Sequence, residues 1–352
     1  MNAPVQPPRL IAWEVTRRCT MKCRHCRGAS LDVPYEDELT TGECETFLDR
    51  LAAWAKPIVI FTGGEALLRP DIFALVERAH GHGMRCALAT CGGPVDDATA
   101  RRIQEAGVAR VSISVDGSTA ASHDDFRGVD GAFEAALSAA RRLTAAGVEF
   151  QVNTTVTRHN REELPEILAL ARTLGAAAFD AFLLVPTGRG RELAAAELSP
   201  EEYEETLGWL ADQRDGAGLA VRVTCAPHFH RILRQRGASR RGPHGLDAET
   251  RGCLGGKSFV FVSHRGIVQI CGFLDVPAGD LREADLDLRT LWEGSPFLAE
   301  IRNVNGYGGR CGVCGYRKLC GGCRARAYAL TGDYLAEEPF CTYDPTAGGE
   351  EP

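Results

Sequence analysis

The sequence lacks any apolar run approaching the roughly 20 residues that a membrane-spanning helix needs, which argues against an integral helical membrane protein. It also lacks an excess of charge of one sign. The 40 Lys and Arg stand against 47 Asp and Glu, a net charge of -7 with both signs mixed along the chain. No field builds up that would hold a polyanion, so nucleic acid is not expected as a partner. The opening "MNAPVQPPRL" lacks the charged-then-apolar order of a secretory signal, and a cytoplasmic protein is expected. A disulfide framework becomes improbable with it, because that compartment keeps thiols reduced.

Cysteine is nevertheless abundant. Fourteen are present: three within residues 19–26, seven from Cys253 to Cys341, and Cys44, Cys86, Cys91 and Cys225 standing apart. Clustering of this kind points to metal or redox chemistry. The four isolated cysteines read as small buried hydrophobes.

The 352 residues suffice for one large domain and a smaller one. From residue 10 to 224, short β-branched runs ("IAWEVT", "PIVIFTG", "RCALAT", "RVSISVDG", "EFQVNTTV", "FDAFLLVPT") alternate with amphipathic helical segments, the pattern of parallel β/α units. Six units are too few for a closed eight-fold barrel. The expected fold is therefore α/β, a partial (β/α)6 TIM-type barrel over residues 10–224, with the loops after its strands on one functional face. Residues 225–252, rich in Arg, His and Gly, read as a connector. Residues 253–345 form a cysteine-rich C-terminal domain with few apolar periods, held by metal more than by a core, with one convincing helix in "DLRTLWEGSPFLAEIRN". The ends, 1–9 and 346–352, read as disordered tails.

"CTMKCRHC" spaces Cys19, Cys23 and Cys26 as C-x3-C-x2-C at the end of the first strand. Four thiolates would close an iron-sulfur cluster, whereas three leave one iron free. A structural zinc prefers four closed ligands, and His25 is poorly placed as a fourth. "FTGGEALLRPD" follows at the end of the second strand, where Gly63 and Gly64 allow close backbone approach and Glu65 offers a carboxylate.

With both motifs in these positions the chain resembles the radical S-adenosylmethionine (SAM) enzymes. The resemblance implies that Cys19, Cys23 and Cys26 hold a [4Fe-4S] cluster whose open iron is chelated by S-adenosyl-L-methionine, with Gly63, Gly64 and Glu65 at its methionine amino group. His25 takes the usual aromatic place, and Ala66 stands where the family commonly has proline. Ser114 (ahead of Ser112) and Asp116 in "SISVDG", and Asn153 (with Thr155) in "VNTTV", are the implied contacts to the rest of the cosubstrate.

The tail, with Cys253, Gly266-x4-Cys271, "CGVCGYRKLCGGC" and Cys341, resembles the SPASM extension of the same superfamily. The resemblance implies one auxiliary cluster on Cys311, Cys314, Cys320 and Cys341, and a second on Cys253, Cys271 and Cys323 with an open iron or an unrecognised fourth ligand. Two residues separate Cys320 from Cys323 where three are usual. Two zinc sites are the structural alternative for this region.

Further stretches, "NTTVTRHN", "FLLVPTGRGREL", "TCAPHF" and "CGGCRARAYALTGDYLAEEPFC", resemble the heme b synthases of the siroheme-dependent pathway over residues 9–345. This implies oxidative decarboxylation of two propionates of iron-coproporphyrin III to vinyl groups by a monomeric enzyme fed by a low-potential electron donor. Relatives remodel other tetrapyrrole side chains or mature peptides. The substrate's carboxylates call for arginine. Arg189, with Arg191, in "TGRGRE" is the candidate for a propionate, and the arginines of "HFHRILRQRGASRRGPH" could add to it, although a solvated linker is the plainer reading there. His228, His230 and His244 are available to heme iron, but none is singled out.

Overall fold

The computed structural model describes residues 5–214, 219–238 and 252–346. The first half alternates strands and helices: β1 (Leu10–Thr16), α1 (Thr41–Trp54), β2 (Ile58–Gly63), α2 (Ile72–Gly81), β3 (Arg85–Thr90), α3 (Asp97–Glu105), β4 (Val108–Ser114), α4 (Ala120–Arg127), α5 (Ala132–Ala145), β5 (Phe150–Val156), α6 (Leu164–Thr173), β6 (Ala178–Leu183), α7 (Pro200–Gln213) and β7 (Ala220–Thr224). Then follow α8 (Phe229–Gln235), β8 (Phe259–Val262), β9 (Ile267–Gln269), β10 (Gly279–Asp280), α9 (Leu288–Gly294), α10 (Pro296–Arg302), α11 (Gly309–Val313) and α12 (Arg324–Thr331). No described helix is long and apolar enough to cross a membrane.

The ten strands of the described residues form one sheet in the order β10-β9-β8-β1-β2-β3-β4-β5-β6-β7. Pairing is parallel from β8 to β7, and the two ends of the order do not meet. This is the partial barrel expected from six β/α units, completed by β7. Helix starts are set locally: Thr40 with Glu43 and Ser199 with Glu202 form capping boxes at α1 and α7, and Pro200 occupies the first turn, where no N–H is needed. Between sheet and helices lies a core in which Trp13, Phe47 and Phe61 are fully buried, the Trp13 ring edge-on to Phe47 at 5.0 Å.

Four features depart from the sequence reading. The cysteine-rich tail does have a core: β8 pairs with β1, Leu10 opposite Phe259, and Val260, Ile270, Trp292, Leu298 and Ile301 continue the buried cluster of the barrel. The apolar residues there are spread over three short strands and two short helices, so no single period reveals them. The single helix expected over 287–303 is two, because Pro296 lacks the N–H that would continue α9 and holds Ser295 extended at φ -68, ψ 121. Residues 5–9, expected to be disordered, are docked: the Gln6 carbonyl accepts from Trp292 Nε1 at 2.9 Å and Arg9 N–H donates to the Ser258 carbonyl at 2.8 Å. The connector begins with α8, which buries Phe229, Ile232 and Leu233, while residues 239–251 lie outside the described residues.

Candidate active site

The loop carrying Cys19, Cys23 and Cys26 leaves the carboxyl end of β1. Cys19 and Cys23 are buried beside Met21 and Ala132, and Cys26, Cys91 and Val129 pack against them. The loop is tied down from every side: Glu65 N–H donates to the Arg18 carbonyl at 2.8 Å, Arg24 N–H to the Phe126 carbonyl at 3.0 Å, and Arg189 N–H to the Cys26 carbonyl at 3.0 Å. Such contacts need bare backbone. A Cβ on Gly63 would strike the Thr16 carbonyl, one on Gly64 the carbonyls of Arg17 and Arg18, and one on Gly188 that of Arg27. The two glycines of "TGGE" therefore admit the cysteine loop itself, where the sequence reading had them admit a ligand.

Two donors aim at the sulfurs. Met21 N–H points to Cys19 Sγ at 3.4 Å and Arg127 Nη1 to Cys23 Sγ at 3.5 Å. Burial pushes the Cys19 thiol up to about 12 and raises that of Cys23, which Arg127 pulls back. Three thiols around one loop, with a buried cation and an amide N–H facing sulfur, suit an anionic thiolate-ligated cluster; the donors stabilise charge that burial alone would reject.

Arg127, which the sequence reading missed, ends α4, a helix whose sequence "AASHDDFR" has no continuous apolar face. Its Nη2 sits 2.7 Å from Asp116 Oδ2. Asp116 is fully buried, accepts Thr155 N–H at 2.7 Å on Oδ1 and lies 3.6 Å from His25 Nε2. Burial raises its pKa, but Arg127 and the neighbouring histidines lower it further, so the carboxyl stays ionised. His25 stacks on Phe126 at 4.5 Å and is held neutral, its pKa down to about 4 chiefly by burial. Asp116, expected at the cosubstrate, thus anchors the Arg127 cation under the loop.

Two further expected site residues have partners within the chain. Glu65 is completely buried and accepts from Leu67 N–H, Thr90 Oγ1 and Cys91 N–H at 3.2, 2.9 and 2.7 Å, so its carboxylate also joins the end of β2 to the end of β3. Arg189 does not face outward: Nε donates to the Cys23 carbonyl at 2.9 Å, Nη1 to the Ser30 carbonyl at 2.8 Å, and Nη2 is buried without a partner. Arg191 beside it is exposed. His228 is buried among α7 and α8, with neither ring nitrogen hydrogen-bonded, and His244 lies outside the described residues.

Register does bring Ser114 and Asn153 together, opposite one another on β4 and β5. The same row continues to Asp180 on β6 and Arg222 on β7. Because strand residues alternate, this polar row and the half-buried Ser112 and Thr155 lie on the face opposite the apolar residues that meet the helices. Asp180 accepts from Thr224 Oγ1 at 2.9 Å; burial raises its pKa and Arg222 opposes the rise. Asp180 and Arg222 were not singled out from the sequence, since each is one polar residue in an otherwise ordinary strand.

In the tail, Cys311, Cys314, Cys320 and Cys341 line one small pocket that opens to solvent, with Arg231 and Glu338. Cys271 is in electrostatic contact with Cys253 and Cys323, and burial drives its thiol up to about 12. The short Gly321–Gly322 spacer works because both residues are left-handed, φ 71 and 63, and turn the chain between the two groups. Cys225, read as a plain buried hydrophobe, packs against the core that holds Cys323, and its thiol is raised by the Cys323 thiol and by burial. Among the described residues no three such side chains close around a single ion, an arrangement that differs from the wider spacing of thiolates on separate irons of one cluster.

Partial barrel, three-cysteine loop and polar inner row together define a radical SAM enzyme. The Radical SAM superfamily profile matches residues 13–171. An AdoMet-dependent heme synthase of Oleidesulfovibrio alaskensis is 47% identical over 342 residues, covering 96% of this chain and 88% of that protein. One of Methanosarcina barkeri is 46% identical over 351 residues, covering 98% and 99%. The fold is also that of Streptococcus suis SuiB bound to S-adenosylmethionine, with a TM-score of 0.75 at 16% identity over 96% of this chain and 77% of that one. The chain belongs to the radical SAM superfamily and, within it, to the family of the AdoMet-dependent heme synthases. Membership implies a [4Fe-4S] cluster and S-adenosylmethionine, which the Cys19, Cys23, Cys26 loop fits.

Proposed function

We propose that this chain converts two propionates of iron-coproporphyrin III to vinyl groups, giving heme b. Identity of 46–47% to heme synthases over almost the whole chain carries the reading. When bound, the cluster on Cys19, Cys23 and Cys26 and its S-adenosylmethionine supply a hydrogen-abstracting adenosyl radical. Ser114 and Asn153, paired across β4 and β5, are the candidates to orient the cosubstrate. Arg222, opposite Asp180 on the same row, is the candidate cation for a propionate carboxylate.

Going from –CH2–CH2–COO⁻ to –CH=CH2 plus CO2 removes one hydrogen atom and one further electron. Hydrogen abstraction accounts for the first. The electron needs an acceptor, and the two cysteine groups of the tail would hold auxiliary clusters able to take it. One group includes Cys323 and lies against Cys225, three residues beyond Arg222, so acceptor and substrate cation share one strand end.

The test is anaerobic incubation of the reduced, reconstituted protein with S-adenosylmethionine and iron-coproporphyrin III. Loss of two carboxyl groups by mass, with 5'-deoxyadenosine formed, is expected. S-adenosylmethionine cleavage with unchanged porphyrin would overturn the substrate assignment.

A further inference from the structure

Four cysteines belong neither to the radical loop nor to the seven of the tail, and three have ordinary surroundings. Cys44 and Cys86 are fully buried in the main core, each thiol reaching a backbone carbonyl at 3.7 Å. Cys91 packs beside the radical loop with its N–H bound to Glu65. Cys225 is different. It follows β7 directly, in a left-handed conformation with φ 64 that costs a non-glycine residue about 1 kcal/mol or more. The conformation is fixed from the tail: Arg326 Nη1 donates to the Cys225 carbonyl at 2.8 Å. Arg326 lies three residues after Cys323, in the first turn of the helix that Cys323 caps, so one side chain sets the distance between the two cysteine backbones.

The side chains agree with that placement. Cys323 belongs to the buried core, and Cys225 and Cys271 both pack against that core; the Cys225 thiol is influenced by those of Cys323 and Cys271, and the Cys271 thiol by that of Cys253. Four segments distant in sequence, the end of β7, the strand-free start of the tail, the turn after β9 and the start of α12, thus each deliver one thiol to one region. The other tail group has its own four, Cys311, Cys314, Cys320 and Cys341, in a separate cavity that Cys225 does not line.

We propose that Cys225 is the fourth protein ligand of the auxiliary cluster otherwise held by Cys253, Cys271 and Cys323, so that this cluster is closed. The inference rests on the reading that the tail holds two auxiliary clusters. Its consequence is chemical: with every iron ligated by the protein, the cluster has no vacant iron for a substrate carboxylate or porphyrin to bind, and it can receive an electron only without direct ligation. It also accounts for the strained backbone of a residue that, as a mere core filler, would need neither that conformation nor Arg326.

The test uses the full chain with Cys19, Cys23 and Cys26 replaced by alanine, reconstituted anaerobically, so that only tail iron is counted. About eight irons per chain are expected in that background if each auxiliary site holds four. Adding Cys225→Ala should lower the count by about one iron or more and change one component of the reduced electron paramagnetic resonance spectrum. The component should be the one that Cys323→Ala changes, and the one that Cys311→Ala changes should persist. Iron content and spectrum unchanged by Cys225→Ala, or a change confined to the Cys311 component, would overturn the proposal. If Cys225→Ala loses all tail iron, Cys225→Ser decides: a shifted potential of the Cys323 component supports ligation and an unshifted one rejects it. A background protein holding only about four irons would overturn the two-cluster reading itself, a result distinct from any of these.

Discussion

Arg189 places its guanidinium against two carbonyls of the cysteine loop, those of Cys23 and Ser30, and buries the remaining nitrogen. Truncating it takes the donor from the Ser30 carbonyl and leaves the Cys23 carbonyl with the Cys26 N–H alone, at about 1–3 kcal/mol for a carbonyl that stays dry. Arg189→Ala should therefore lower iron at the radical site and 5'-deoxyadenosine formation, while tail iron and porphyrin affinity change little; Arg189→Lys, with one donor in place of two, should fall between. Iron counts and porphyrin titrations on the same preparations check this, and weakened porphyrin binding at full iron would return the residue to the substrate. The loop cysteines were legible because their spacing is contiguous. The partners of Asp116, Glu65 and Arg189 were not, because Arg127, Thr90 and the Cys23 carbonyl are brought in by elements whose packing the residue types do not encode. Chemistry was readable at each position, but direction was not.

The elements that hold the loop differ in how much room they leave. Gly64 ends the turn after β2, where a Cβ would meet the carbonyls of Arg17 and Arg18, and neither is the free end of a flexible side chain. Gly81, the last residue of α2, has nothing within 4 Å of its would-be Cβ. Gly64→Ala should then displace the backbone between β1 and the first cysteine and abolish iron binding at the radical site, whereas Gly81→Ala should stabilise the fold by about 0.4–1 kcal/mol through the unfolded chain. Denaturant midpoints and radical-site iron of the two variants provide the comparison; normal iron in Gly64→Ala would show that the loop can shift without loss. Long amphipathic elements such as α1, α5 and α7 were legible from periodicity. The short α4, the break between α9 and α10, and strands of two to four residues such as β8 and β10 were not, since pairing and one proline decide them, not a period.

Across the whole molecule, the tail is joined to the barrel at one side by β8 on β1, with ion pairs such as Arg282–Glu43 and His264–Glu14 beside it, and at the strand ends by Arg326. The guanidinium is fully buried, lies over the Tyr203 ring at 4.8 Å, and donates to the carbonyls of Leu184 at the end of β6 and of Cys225 at the end of β7. It is flanked by two carboxylates, Glu197 at 3.3 Å and Glu338 at 3.5 Å. One cation between two buried acids cannot fully offset both. Burial pushes Glu197 up to about 7 from its ordinary 4.5, Arg326 pulls it down and Glu338 adds to the rise. A carboxyl with a higher pKa folded than unfolded binds its proton more tightly in the folded state. Its contribution to stability is thus fully present below about 4.5 and is lost as pH rises through about 7. The parent's denaturant midpoint, measured anaerobically, should fall between about pH 5.5 and about pH 8 in part through this group. Glu197→Gln keeps an acceptor for Arg326 Nε but has no proton to lose, so it should flatten that part of the slope and cost less stability at the alkaline end than at the acid end. Parallel slopes for parent and variant would mean that Glu197 stays ionised throughout, and that Arg326 balances both carboxylates as the tail closes over the strand ends.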